Sequence, residues 1–81
     1  MTAIDDRARQ AVATALLRVV PDADLATLDD DTAFRAELEL DSLDFLSFVE
    51  QLSSATGVRI DEDDYPRLRT LRSCVEFLTG D

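Results

Sequence analysis

The chain has no histidine and a single cysteine, and these absences exclude several kinds of active site. Without histidine, no Ser-His or Cys-His pair can form. Cys74 alone can form neither an internal disulfide nor a cysteine-cluster metal site. Carboxylates are plentiful, but paired acids need a cleft that separates their pKa values, and 81 residues leave little room for one. We therefore predict that the protein is not an enzyme and that enzymes act upon it.

Positive charge is also scarce, since eight basic residues, all arginine, accompany 18 acidic ones and the formal net charge is −10. This charge argues against nucleic acid and anionic membrane surfaces as partners, and favours proteins with basic patches. The residues from Met1 to Asp6 lack the basic and apolar pattern of a secretory signal, so none is expected, and no run approaches the ~20 apolar residues of a membrane span. Because 46% of the residues are hydrophobic, the chain is not an acidic disordered tail. We expect a cytoplasmic globular protein without membrane insertion.

Apolar residues recur at helical spacing, and no strand pattern is present. The spacing predicts four helices, over approximately 3–19, 42–56, 62–67 and 71–79. Pro21 and Gly57 are suitable ends for the two long helices, Pro66 limits the short one, and Thr70 is a suitable cap for the last. We predict an all-α fold, a four-helix bundle with a long first loop and a short third helix. It forms a single domain over residues 1–81, and the start at Met1 and the end at Asp81 favour a chain that stands alone.

The long connection over 20–41 is acidic but carries more large apolar side chains than a solvated linker would. These are Leu25, Leu28, Phe34, Leu38 and Leu40. We expect them to attach the connection to the core, with a turn of helix at 33–37. Connections of this length within a compact domain are unusual and often functional.

The helix over 42–56 is apolar around more of its circumference than one buried stripe requires. Some of its apolar side chains are therefore expected on the surface, where they form a candidate docking surface beside Ser42. The residues predicted to face partners are Leu43, Asp44, Leu46 and Glu50. On local chemistry alone, Asp41 and Ser42 also suit a helix N-cap, and Asp44 suits the positive end of the helix dipole.

The run Glu37-Leu38-Glu39-Leu40-Asp41-Ser42-Leu43-Asp44 resembles the modification site of acyl carrier proteins, and the resemblance in length, acidity and helix spacing covers nearly the whole chain. It implies an acyl-carrier-like bundle in which Ser42 is esterified to 4′-phosphopantetheine, taken from coenzyme A by a separate phosphopantetheinyl transferase. Asp41 would support transferase recognition and the helix start. Because the thiol of the arm carries acyl groups as thioesters, the protein needs no base of its own.

The resemblance also implies partners: the transferase, and acyl- or aminoacyl-loading and acyl-processing enzymes with basic docking patches. Their contacts with an acidic carrier are expected to be small and sensitive to salt. We expect the carrier to be a monomer.

Two departures from the family pattern affect this interpretation. Glu39 stands where the family usually has glycine, so the bend before Ser42 is expected to differ. The helix over 42–56 has few acids after the serine, and Phe45 and Phe48 are large enough to fill the bundle centre. We therefore expect a short or polar cargo in a specialised fatty-acid, polyketide or secondary-metabolite pathway.

Two alternatives remain open: a peptidyl or aminoacyl carrier protein, and an unmodified helical adaptor that binds a partner through the apolar strip. Cys74 is interpreted as a core residue. No metal site is expected, because a calcium loop of the EF-hand type starting at Asp61 would place Pro66 and Arg72 where glycine and glutamate are required.

Overall fold

The computed structural model describes residues 3–80, so Met1, Thr2 and Asp81 of the predicted domain lie outside the described residues. Its four α-helices are α1 (Ala3–Val19), α2 (Phe34–Glu37), α3 (Ser42–Thr56) and α4 (Leu71–Thr79). Two 3₁₀ helices, η1 (Leu25–Thr27) and η2 (Glu62–Arg67), lie in the connections. The all-α class expected from the sequence is confirmed, and the short third helix of the prediction is η2, which has 3₁₀ geometry.

Local side-chain chemistry accounts for where the helices begin and end. The Asp41 side chain accepts a hydrogen bond from the amide of Asp44 at the start of α3, and Gly57 ends that helix in a left-handed conformation with φ 71°. At the start of α4, Thr70 and Ser73 satisfy each other's backbone amides in a capping box. These caps supply partners to amide groups that a helix start otherwise leaves unpaired.

The core lies between α1, which packs against both α3 and α4, and the connections that cover their ends. Its largest fully buried side chains are Leu16, Phe34, Phe48, Leu52 and Leu68. Cys74 is also fully buried, so its predicted place in the core is confirmed. Among the described residues, no helix has both the length and the apolar character needed to cross a bilayer.

The connection between α1 and α3 is attached to the rest of the protein as expected, because Leu28, Phe34 and Leu40 are buried. Backbone hydrogen bonds reinforce this attachment: the Phe34 amide donates to the carbonyl of Arg69 at 3.2 Å, and the Arg72 amide donates to the carbonyl of Asp30 at 2.9 Å. The segment that leads into Ser42 is therefore held in place by core packing.

Two ion pairs hold the acidic part of the same connection. Arg9 of α1 pairs with Asp30 through two hydrogen bonds, and Arg72 of α4 pairs with Asp31, with 2.7 Å between Nε and Oδ1. The hydrogen bond from Arg9 is the largest influence on Asp30 and lowers the pKa of its carboxyl below the ordinary 3.8, although desolvation acts in the opposite direction. The acidic loop is thus joined to the two helices that flank it.

Candidate functional site

Ser42 is the first residue of α3, and its position depends on the residue before it. Asp41 has extended backbone angles, its Oδ1 accepts from the Asp44 amide at 2.8 Å, and its carbonyl oxygen accepts from the Phe45 amide at 2.9 Å. The helix therefore starts at Ser42, whose side chain is exposed. The Ser42 and Leu43 amides lie in the first turn, where amides have no partner within the helix and an anion is favoured.

The bend that leads into Asp41 contains Glu39 in the left-handed conformation, with φ 55°. No other non-glycine residue within residues 3–80 has a positive φ. Around this bend the Leu40 amide donates to the carbonyl of Arg35 at 2.8 Å, and the Glu39 amide donates to the carbonyl of Ala36 at 3.2 Å. These two hydrogen bonds form a Schellman motif at the end of α2, and the left-handed residue of that motif is usually glycine. The bend before Ser42 is therefore left-handed even though it is formed by a glutamate.

The residues predicted to face partners lie on the open side of α3. Leu43 is 74% exposed and Leu46 is 41% exposed, and Glu50 is exposed one turn further along the helix. Asp44 is half-buried. The opposite side of the helix is buried and contains Phe45, Phe48, Val49 and Leu52. The structure thus brings the exposed residues of the prediction together beside Ser42.

The bundle centre beneath the site is filled by aromatic rings. Phe34 and Phe48 have no exposed surface, and Phe45 is 5% exposed. The Phe45 ring also meets the Tyr65 ring edge to face, with centroids 5.4 Å apart. Large side chains therefore occupy the interior space next to Ser42.

A surface groove next to Ser42 contains residues that the sequence interpretation did not identify. The groove has a volume of about 860 Å³. It is lined by Ala33, Arg35, Ala36, Glu39, Leu40, Asp41, Phe45, Tyr65, Pro66, Leu68 and Arg69. Its two arginines, Arg35 and Arg69, and the ring of Tyr65 come from parts of the chain that are about thirty residues apart. Periodicity and local motifs carry no signal for such an arrangement, because only tertiary packing produces it.

Comparison with known families agrees with this geometry. The profile of the family described as "Phosphopantetheine attachment site" matches residues 7–78, which is most of the chain and includes Ser42. This chain belongs to the acyl carrier protein family. As a member it has an acyl carrier role, its cofactor is 4′-phosphopantetheine, and it interacts with modifying and processing enzymes. The resemblance seen in the sequence is therefore confirmed.

Several curated members of the acyl carrier protein family are similar in sequence. "Polyketide-8 synthase acyl carrier protein 2" of Streptomyces avermitilis is 34% identical over 80 residues, covering 98% of this chain and 86% of that protein. "Acyl carrier protein" of Lactobacillus johnsonii is 35% identical over 48 residues, covering 59% of this chain and 60% of that protein. "Acyl carrier protein" of Myxococcus xanthus is 26% identical over 57 residues, covering 70% of this chain and 72% of that protein. No solved structure gives a significant match.

The start of α3 has the features that a phosphopantetheine ester requires. An exposed hydroxyl offers the oxygen for the ester, and the amides of the first helical turn favour the phosphate charge. Within the described residues, no group of acidic or cysteine side chains is arranged to hold a metal ion.

Proposed function

We propose that Ser42 bears the 4′-phosphopantetheine arm, and that the protein carries acyl groups as thioesters on that arm in a specialised fatty-acid, polyketide or secondary-metabolite pathway. The exposed position of Ser42 at the Asp41-capped start of α3 is the observation that carries this proposal. A hydroxyl on a firm helix start is accessible to a second enzyme and keeps its attached group in one place. Asp41 supports this arrangement by stabilising the first turn.

The protein supplies a scaffold and no catalysis in this proposal. Because histidine is absent from the chain, the transferase must provide the base that removes the Ser42 hydroxyl proton. The bound arm supplies a thiol for thioester chemistry. The chain's own residues hold the attachment point and present a surface to enzymes, in the cytoplasm and as a monomeric single domain.

The partner surface that we propose consists of Leu43, Asp44, Leu46 and Glu50. Two exposed leucines next to acidic groups suit an enzyme surface that combines an apolar depression with a basic rim. Contacts of this kind are brief, which a carrier needs because it must visit its transferase, its loading enzyme and its processing enzymes in turn.

A short or polar cargo fits the filled bundle centre. The rings of Phe34 and Phe48 are fully buried and in contact with each other, and a long acyl chain that entered the bundle centre would have to displace them. The similarity to a polyketide synthase carrier favours a polyketide pathway among the specialised ones. A long-chain acyl group that shifted the NMR signals of Phe34 and Phe48, as burial inside the bundle requires, would contradict the cargo proposal.

A peptidyl or aminoacyl carrier is the second candidate. After Asp44, the only acidic residue of α3 is Glu50, and this low acidity is the observation that favours it. The two candidates share the fold and the arm, but they differ in the enzyme that loads the arm. Loading by an amino-acid-activating enzyme, without loading by an acyl-loading enzyme, would establish the second candidate.

Intact mass after incubation with coenzyme A and a broad-specificity phosphopantetheinyl transferase tests the attachment site. The unmodified sequence is expected to gain one phosphopantetheinyl group, and Ser42→Ala is expected to gain none. Ser47→Ala is the matched control, because Ser47 is an exposed serine of the same helix and its loss should leave the modification unchanged. Circular dichroism establishes that each variant is folded. A folded protein that gains no mass would leave Ser42 as a helix residue without an arm and would favour the adaptor alternative.

A further inference from the structure

Glu39 is the only non-glycine residue among residues 3–80 whose backbone is left-handed, with φ 55°. The other positive-φ positions of the described chain are Gly57 and Gly80. A residue with a Cβ adopts this conformation at a cost in free energy, and backbone strain of this kind is concentrated at functional sites. A role for the Glu39 side chain would account for the strain at this bend.

Glu39 is held close to Ser42 by a fixed stretch of backbone. Three residues of chain span at most about 11 Å, so the Cα atoms of Glu39 and Ser42 lie within that distance of each other. The Leu40 amide donates to the carbonyl of Arg35 at 2.8 Å, the Leu40 side chain is buried, and Asp41 caps α3. An enzyme that reaches the Ser42 hydroxyl therefore also approaches Glu39.

The Glu39 side chain is open to a partner. Within three residues of Ser42 the acids are Glu39, Asp41 and Asp44. The Asp41 carboxylate already accepts from the Asp44 amide at 2.8 Å, and Asp44 itself is half-buried. Glu39 is exposed, and it takes part in no ion pair within residues 3–80. Its carboxylate is thus the one in this group that is both exposed and without a protein partner.

The enzyme that attaches the arm has the complementary charge. Coenzyme A, the donor of the arm, carries a pyrophosphate and a further phosphate group, and protein sites for phosphates use arginine and lysine side chains. The transferase must bring this site up to the Ser42 hydroxyl, so its positive groups approach the carrier surface around Ser42. A carboxylate at the rim of such a contact promotes association by electrostatic attraction.

We propose that Glu39 is a recognition residue for the phosphopantetheinyl transferase, and that its carboxylate pairs with a basic side chain at the edge of the coenzyme A site. This inference rests on the proposed attachment at Ser42, and it adds a contact before the serine to the proposed partner surface on α3. Glu39 does not touch the reacting atoms, so it acts on binding of the carrier and not on the chemical step. Loss of its side chain would relieve strain and weaken recognition together.

Steady-state kinetics of arm attachment test this role, with coenzyme A, a broad-specificity phosphopantetheinyl transferase and intact mass as the readout. Glu39→Gln removes the charge and retains the shape of the side chain. It is expected to raise the KM for the carrier about two- to fivefold at low salt and to leave kcat unchanged, as loss of an exposed ion pair does. Glu39→Asp retains the charge and is expected to restore most of the affinity. Asp22→Asn is the matched control, because Asp22 is an exposed acid earlier in the same connection, and its KM should equal that of the parent protein.

Two further measurements separate the charge of Glu39 from the shape of the bend. Glu39→Gly suits the left-handed conformation but lacks the carboxylate, so it is expected to raise KM as Glu39→Gln does. The difference in KM between the parent protein and Glu39→Gln should disappear as salt approaches about 1 M, where the screening length falls to about 3 Å. Circular dichroism establishes that each variant is folded.

The outcomes distinguish this inference from the proposed function. A parent protein that gains no arm would contradict attachment at Ser42. A parent protein that is modified, with a Glu39→Gln variant of equal KM, would overturn the role of Glu39 and leave the attachment intact. Equal increases in KM for Glu39→Gln and Asp22→Asn would assign the effect to total charge and would also overturn it. A Glu39→Gln variant with reduced kcat and unchanged KM would overturn a role in recognition.

Discussion

Phe34 and Phe48 meet edge to face at the centre of the protein, with ring centroids 5.2 Å apart and ring planes at 65°. Phe34 belongs to α2, within the long connection, and Phe48 belongs to the helix that starts at Ser42. Aromatic pairs with this geometry contribute about 0.5–1.5 kcal/mol beyond the burial of their area. This contact therefore joins the connection to α3 and helps to fix the site that both segments form.

Replacing Phe48 by alanine is expected to lower the free energy of unfolding by about 3–5 kcal/mol, because it removes the ring and leaves a cavity. Urea denaturation followed by circular dichroism measures the change. Leu43→Ala is the control from the same helix: its side chain is 74% exposed, and a change within about 0.5 kcal/mol is expected. Equal losses in the two variants would contradict the buried and exposed sides assigned to α3.

Replacing Glu39 by glycine is expected to stabilise the protein by up to about 1 kcal/mol. The left-handed conformation at φ 55° is unfavourable for a residue with a Cβ, and relief of this cost exceeds the entropy that glycine adds to the unfolded chain. The measurement is the midpoint of urea unfolding. Glu39→Ala removes the same carboxylate but retains the Cβ, so it should give no such gain. A glycine variant no more stable than the alanine variant would contradict backbone strain at this bend.

Local chemistry made much of the fold predictable. Asp41 and Gly57 delimit α3 through a side-chain cap and a left-handed end, and both signals are present in short stretches of sequence. The apolar pattern of the same helix indicated that some large side chains are exposed, and Leu43 and Leu46 are. Large apolar residues in the long connection likewise indicated that the core holds it.

Features produced by tertiary packing were not predictable in the same way. A glutamate carries no local preference for the left-handed region, so only the resemblance to a glycine-containing family drew attention to the bend at Glu39. The groove could not be found from the sequence, because Arg35 lies in α2 and Arg69 lies between η2 and α4. Its aromatic wall depends on the packing of Phe45 in α3 against Tyr65 in η2.

The ion pair between Arg9 and Asp30 predicts a dependence of stability on acid pH. The hydrogen bond from Arg9 lowers the pKa of the Asp30 carboxyl in the folded protein below the ordinary 3.8. The ion pair therefore contributes fully to folding stability at pH values above about 3.8, and this contribution is lost as pH falls through the lowered pKa of the folded state. Asp30→Asn should lose less stability than the parent protein in that acid range. Thermal unfolding between pH 2 and 5, roughly the span of carboxyl titration, measures this difference.

Asp22→Asn serves as the control for the acid-range prediction. Asp22 is an exposed acid of the same connection, and no ion pair involving it is present within residues 3–80. Its variant should therefore follow the parent protein over the acid range. An Asp30→Asn variant with the same acid dependence as the parent would contradict the contribution of the Arg9 pair.

Cys74 is expected to be unreactive in the folded protein. Burial raises the pKa of its thiol to about 12, so almost no thiolate exists at neutral pH, and the side chain has no exposed surface. Titration with a chromogenic disulfide reagent at pH 8 should find no reactive thiol before phosphopantetheine is attached, and one after unfolding in guanidinium. Once the transferase has acted, the folded protein should show one reactive thiol, that of the arm. As a control, Cys74→Ala should keep the reactive thiol of the arm and lose the thiol that unfolding exposes. If Cys74 in the folded protein without the arm reacted as fast as it does after unfolding, its buried position would be contradicted.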